Sequence, residues 1–119
     1  MATTVLIVDD HPTFRRFARR LLEHAGFAVV GEADDGAAAI RATETLRPEA
    51  VLLDVLLPDR SGLDVAAELA ARWETTAVVL TSSRSAEDLG SGLEASQARG
   101  FIPKNELTAS AFAALIESL

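Results

Sequence analysis

The sequence predicts an α/β fold, a single doubly wound sandwich in which parallel strands alternate with helices. Three observations point there. The runs Val5–Val8, Ala50–Leu53 and Ala77–Leu80 are apolar at every position, and strands that need cover on both faces belong to parallel sheets. Segments of helical period separate these runs. Each run also stops abruptly at a polar residue, namely Asp9, Asp54 or Thr81.

Val5–Val8 is the first strand. The amphipathic segment after it carries Phe14, Phe17, Ala18, Leu21, Leu22 and Ala25 on one face and Arg15, Arg16, Arg19 and Arg20 on the other, which reads as a solvated face. Pro12 suits the first turn, where a missing N–H costs nothing, and Gly26 suits the end. Phe27–Val30 is the second strand, and Gly36–Leu46 an alanine-rich helix capped by Asp34 or Asp35 and ended by Pro48.

Ala50–Leu53 is the third strand. Gly62 opens a helix containing Leu63, Val65, Ala66, Leu69 and Ala70. Ala77–Leu80 is the fourth strand. The helix expected over Ala86–Ala98 is weakened by Gly90 and Gly92, each costing up to about 1 kcal/mol of propensity. Phe101 and Ile102 form a very short fifth strand, and Leu107–Leu119 the last helix, with Phe112, Leu115, Ile116 and Leu119 on one face. Short right-handed crossovers join such elements into an open sheet covered on both sides.

At 119 residues the chain is one domain's worth of material, and no linker or repeat divides 1–119. There is no cysteine, which excludes disulfides and thiolate chemistry and fits a reducing cytoplasm. No leader or run of eighteen apolar residues is present, so neither secretion nor a membrane span is expected. The net charge of −7 disfavours direct nucleic-acid binding, which needs basic residues to displace counterions. Of eleven basic residues, only Lys104 is a lysine.

In such a sheet, ligands bind beyond the carboxyl ends of the strands. Asp9, Asp10, Asp54, Thr81, Ser82 and Lys104 all fall there. Carboxylates held a few ångströms apart repel, and one takes a proton unless a cation intervenes. Mg²⁺ suits a site built of carboxylates, a carbonyl and water, and zinc does not. With the metal present, an aspartate can attack phosphorus to give an acyl phosphate, while a lysine and a hydroxyl stabilise the transferring group.

Four blocks now coincide with a known pattern: Val5-Leu6-Ile7-Val8-Asp9-Asp10, Val51 through Gly62 around Asp54, Val78-Val79-Leu80-Thr81-Ser82, and Gly100-Phe101-Ile102-Pro103-Lys104. Over essentially its whole length the chain resembles the receiver domains of two-component response regulators, the CheY-like family with a flavodoxin-like fold. That resemblance implies a five-stranded parallel sheet of order 2-1-3-4-5, with Asp54 as phosphoacceptor and Asp9 and Asp10 as the acidic pair. Mg²⁺, with Mn²⁺ as a substitute, would be held by Asp10 most directly, by Asp54 and by the backbone carbonyl of Leu56. Lys104 would meet a phosphoryl oxygen, and Thr81, with Ser82 beside it, would bond the group once attached. Phe101 would turn inward as Thr81 moves, although a buried core aromatic explains it equally well.

The resemblance further implies a histidine kinase or phosphotransfer protein as donor, a switched surface such as a homodimer contact, and a cytoplasmic setting. Such a chain would catalyse its own phosphorylation and slow dephosphorylation without being a conventional enzyme. His11-Pro12 and Gly31-Glu32-Ala33 are most similar to receivers fused to a helix-turn-helix output domain; no such domain is expected within 1–119, which reads either as a single-domain regulator or as a piece of a longer protein. Pro103 precedes Lys104 and Asn105 follows it, so the cis-proline loop of many receivers is not expected. His11 reads as a solvated loop residue first and as a residue bordering the pocket second.

Three other functions compete. An aspartyl-phosphate phosphatase usually needs an acid two residues beyond its nucleophile, where this chain has Leu56. A flavin carrier would need a first loop that welcomes phosphate, and Asp9-Asp10 would repel it. A receiver-like scaffold that signals without phosphorylation would be expected to have a degenerate pocket, whereas these residues look complete.

Overall fold

The computed structural model describes residues 2–83, 90 and 92–117. The strands β1 (Thr4–Val8), β2 (Ala28–Ala33), β3 (Ala50–Asp54), β4 (Ala77–Ser82) and β5 (Gly100–Pro103) form one parallel sheet of order β2-β1-β3-β4-β5. The helices are α1 (Pro12–His24), α2 (Gly36–Leu46), α3 (Gly62–Arg72), the short α4 (Gly92–Ala95) and α5 (Ala109–Ile116).

The wholly apolar strands alternate between two cores. Leu6, Val8, Val51, Leu53, Val78 and Leu80 face one way, with Ala39 of α2 and Val65, Ala66 and Leu69 of α3. Val5, Ile7, Ala50, Leu52 and Val79 face the other, with Ala18 and Leu22 of α1 and Phe112 of α5. Period-two alternation with both faces covered is why these runs look continuous in sequence. No helix among the described residues is long and apolar enough to cross a membrane.

Several boundaries differ from the sequence reading. β2 extends past Val30 to Ala33 because its register against β1 shifts, Val5 pairing with Val29 and Leu6 with Gly31. Val30 is left partly exposed, and Gly31 lets Leu46 approach to where a Cβ would meet its Cδ1 at 2.7 Å. α5 starts later than Leu107, because Thr108 caps it by accepting from the Ala111 N–H at 3.0 Å; Ser118 and Leu119 lie outside the described residues. Of the helix expected over 86–98, residues 86–89 and 91 lie outside the described residues. The described part helical there is Gly92–Ala95, and Gly90 and Gln97 take left-handed φ values of 58° and 60°.

On α1, Phe17 is 48% exposed rather than buried. Arg15 and Arg19 are not merely solvated: their Nε atoms donate to Glu32 of β2 at 2.9 and 2.7 Å. At α2, Asp35 is the cap, accepting from the Ala38 N–H at 2.7 Å.

Gly62 is required by packing. A Cβ there would lie 2.1 Å from the Asp54 carbonyl oxygen and 2.7 Å from the Val55 Cα. Helix propensity alone would make Gly62→Ala stabilising by up to about 1 kcal/mol. Backbone atoms cannot yield as a side chain can, so we expect the opposite sign: a loss of about 2 kcal/mol or more in urea unfolding. An unchanged midpoint would contradict that packing.

Candidate functional site

The carboxyl ends of β1, β3 and β5 bring the reactive side chains together. Asp9 prolongs β1, its N–H bonding the Ala33 carbonyl at 3.0 Å, and is fully buried. Its Oδ1 accepts from the His11 N–H at 2.8 Å, which turns the chain into α1. Its carbonyl accepts from Arg15 Nη1 at 2.6 Å. Asp10 follows with a side chain 36% exposed.

Asp54 ends β3 opposite Thr81 and is 2% exposed. Its Oδ1 accepts from the Leu56 N–H at 3.1 Å, and its Oδ2 from Lys104 Nζ at 3.3 Å. Lys104 opens a 3-10 turn (Lys104–Glu106) directly after β5. Among the described residues that loop contains no cis peptide, in line with the sequence expectation. Nζ also lies 2.7 Å from Asp9 Oδ2 and 4.4 Å from the centre of the Phe14 ring.

The electrostatics follow from this crowding. Burial, then the negative charge of Asp9, push the Asp54 carboxyl up to about 6, against the opposing pull of the Leu56 N–H and Lys104. Burial alone would lower the Lys104 ammonium, but bonds and charges from Asp9 and Asp54 leave it raised. One lysine therefore stands between two buried acids.

One ligand atom from each of Asp9, Asp10, His11 and Asp54 lies within 4.8 Å of the others. A hard divalent cation fits this set. Asp9 Oδ2 is buried with Lys104 Nζ 2.7 Å away and no other partner among the described residues, and three of the four groups offer carboxylate oxygens. His11 combines both readings: its side chain stays 66% exposed, and its Nδ1 sits 3.1 Å from both Asp9 Oδ1 and Asp10 Oδ1, at the border of the cluster. No spacing rule singled it out, because it adjoins the acids through a local turn.

The remaining expected residues stand further off. Thr81 is buried, and its hydroxyl donates to the Ile102 carbonyl at 2.7 Å, along the sheet rather than into the cluster. Ser82 is buried at the end of β4. Phe101 is half-buried and borders a cavity of about 230 Å³ with Leu80, Leu93 and Ala98. Leu56 is 48% exposed and pairs with Ser61 in an isolated antiparallel bridge that closes the loop after Asp54. Sequence reasoning missed Asp59, whose carboxylate accepts from the Gly36 and Ala37 N–H groups at 2.8 and 3.0 Å.

Comparison with known proteins bears on the family and the fold. The family model for the response regulator receiver domain matches residues 5–116. A putative transcriptional regulator of Pseudomonas aeruginosa is 42% identical over 103 residues, covering 86% of this chain and 49% of that protein. The transcriptional regulatory protein YdfI of Bacillus subtilis is 31% identical over 102 residues, covering 85% and 47%. The chain thus spans about half the length of these relatives. Among solved structures, the signal receiver domain of the putative response regulator NarL from Mycobacterium tuberculosis superposes with a TM-score of 0.91 at 31% identity, covering 99% of this chain and 98% of that one. With five parallel strands in the order 2-1-3-4-5 and an acidic rim closed by one lysine, the chain belongs to the response regulator receiver domain family.

Proposed function

We propose that residues 1–119 act as one receiver unit in which Asp54 accepts a phosphoryl group from a histidine kinase or phosphotransfer protein. The observation that carries this reading is the buried Asp54 carboxyl, pressed against Asp9 and reached by Lys104 at 3.3 Å. Asp9, Asp10, Asp54 and the Leu56 carbonyl would hold Mg²⁺, for which Mn²⁺ would substitute. When bound, the metal supplies charge neutralisation on the equatorial phosphoryl oxygens.

Asp54 would attack phosphorus in line. The new bond is O–P, the P–N bond of the donor breaks, and the departing imidazole keeps its electron pair. Lys104 offers a compact mobile cation able to follow the phosphoryl group from a donor to Asp54. Thr81 would exchange its neutral bond to the Ile102 carbonyl for a charge-assisted bond to a phosphoryl oxygen, which is the stronger of the two. Ser82 lies beside it, and Phe101 borders open space into which it could turn.

Phosphorylation adds one to two negative charges and strong acceptors, enough to bias two packings that differ by a few kcal/mol. The output would be a changed surface for a homodimer contact or an output domain, in a cytoplasmic setting. The test is intact mass after incubation with acetyl phosphate and Mg²⁺. A phosphate adduct is expected in the wild type and none in Asp54→Ala. Equal adducts in both would refute the assignment.

A further inference from the structure

The loop from Val55 to Ser61, which contains Leu56, is tied down at both ends. Near Asp54, the Leu56 N–H bonds Asp54 Oδ1, and the Gly62 N–H bonds the Val55 carbonyl at 2.7 Å. At the far side, Asp59 reaches across to α2, Oδ1 accepting from the Gly36 N–H and Oδ2 from the Ala37 N–H. The two amides are among the first-turn donors that a helix leaves without intrahelical partners. The carboxylate sits where the helix dipole favours an anion, and these bonds, Gly36 first, hold the Asp59 carboxyl below its usual range. Asp35 caps the same turn independently through the Ala38 N–H.

Arg60, next in the chain, completes the tether. Its Nη1 donates to Glu68 of α3 at 2.8 Å, and its stem passes so close to Gly36 that a Cβ there would meet Cγ at 2.7 Å. The loop is therefore clamped between the start of α2 and the body of α3, 22 and 23 residues away from the α2 amides it holds.

We infer that Asp59 is a positioning residue for the metal site: by gripping the Gly36 and Ala37 amides it fixes the loop that presents the Leu56 backbone beside Asp54. This rests on the metal-dependent reading given above. Asp59 touches no candidate ligand, so its effect must travel through the loop. Outer residues that orient metal ligands commonly cost ten- to a hundredfold in affinity when removed, and the exposed position of Asp59 places it at the lower end.

The test is a thermal-shift titration with Mg²⁺ of wild type, Asp59→Ala, Asp59→Asn and Asp35→Ala. Asp59→Ala is expected to raise the half-saturating Mg²⁺ concentration about tenfold. Asp59→Asn, which keeps one acceptor oxygen and folds if the alanine variant does not, should fall between. Asp35→Ala removes the other cap, lowering the melting temperature without moving the Mg²⁺ midpoint. Unchanged midpoints in both Asp59 variants, or an equal shift in Asp35→Ala, would overturn the inference while wild-type acetyl phosphate labelling still upheld the phosphoacceptor reading. No Mg²⁺ response in the wild type would overturn both.

Discussion

Asp54→Asn is expected to unfold later than the wild type when no divalent cation is present. The substitution keeps the shape and an acceptor for the Leu56 N–H, and it removes a charge the fold tolerates poorly. In the unfolded chain this carboxyl has its ordinary value of 3.8, whereas in the fold burial and Asp9 push it up to about 6. The difference corresponds to about 3 kcal/mol of penalty for the ionised form at neutral pH. Asparagine still has to sit beside Asp9, so a net gain of about 2 kcal/mol is the expected reading in urea unfolding with chelator.

The pH dependence fixes the sign independently. Between the unfolded and folded values the native state binds more protons than the unfolded chain, so wild-type stability from this group falls as pH rises. The penalty grows as pH rises through the range between the ordinary carboxyl value and about 6, and fades as pH falls back through it. Glu32 and Glu68 run the other way. Their carboxyls are lowered, chiefly by hydrogen bonds from Arg19 and Arg60, so their stabilisation fades as pH falls through the acid range. Both are common to the two proteins and cancel in the difference. The advantage of Asp54→Asn should thus shrink from pH 7.5 to pH 5, and saturating Mg²⁺ should shrink it too by stabilising the wild type through binding. A variant no more stable than wild type, or a pH-independent gap, would mean that Asp54 carries no such strain.

Much of this was legible in the sequence because the fold is built on local signals. Strands apolar at every residue announced a sheet covered on both faces, and the Asp or Thr ending each one marked the rim where Asp9, Asp54 and Lys104 meet. Features that depend on partners distant in sequence were not legible. Arg15 and Arg19 looked like a solvated face because Glu32, which both grip, lies 17 and 13 residues away. β2 seemed to stop at Val30 because a register shift leaves no composition signature. Asp59 drew no reading at all, since the amides it accepts from belong to a helix earlier in the chain. Thr81 lies opposite Asp54 on β4, but its hydroxyl direction depends on the Ile102 carbonyl of the neighbouring strand.

Removing Lys104 should have the opposite effect on stability from neutralising Asp54, although both touch the same contact. The Nζ lies 2.7 Å from Asp9 and 3.3 Å from Asp54, both nearly or fully buried. Lys104→Met keeps an unbranched apolar stem, removes the ammonium from over Phe14 and leaves two buried acids facing each other without a cation. Breaking a buried pair by deleting one partner costs about 3–5 kcal/mol. Asp54 can escape part of that by taking up a proton, so a loss of about 2–3 kcal/mol is expected at pH 7 without metal. In an Asp54→Asn background the same substitution should cost at least about 1 kcal/mol less, because one of the two acids is already neutral. The kinetic consequence is separable: with Mg²⁺ present and the fold intact, labelling by acetyl phosphate should slow on the order of 10²-fold, the usual loss for one donor aimed at developing charge. Lys104→Arg should not restore it, since a rigid planar fork cannot occupy the space of a compact ammonium between Asp9 and Asp54. Strictly additive effects in the double variant, or full-speed labelling in Lys104→Met, would show that the lysine acts on neither acid and that the rim is held by the metal ligands alone.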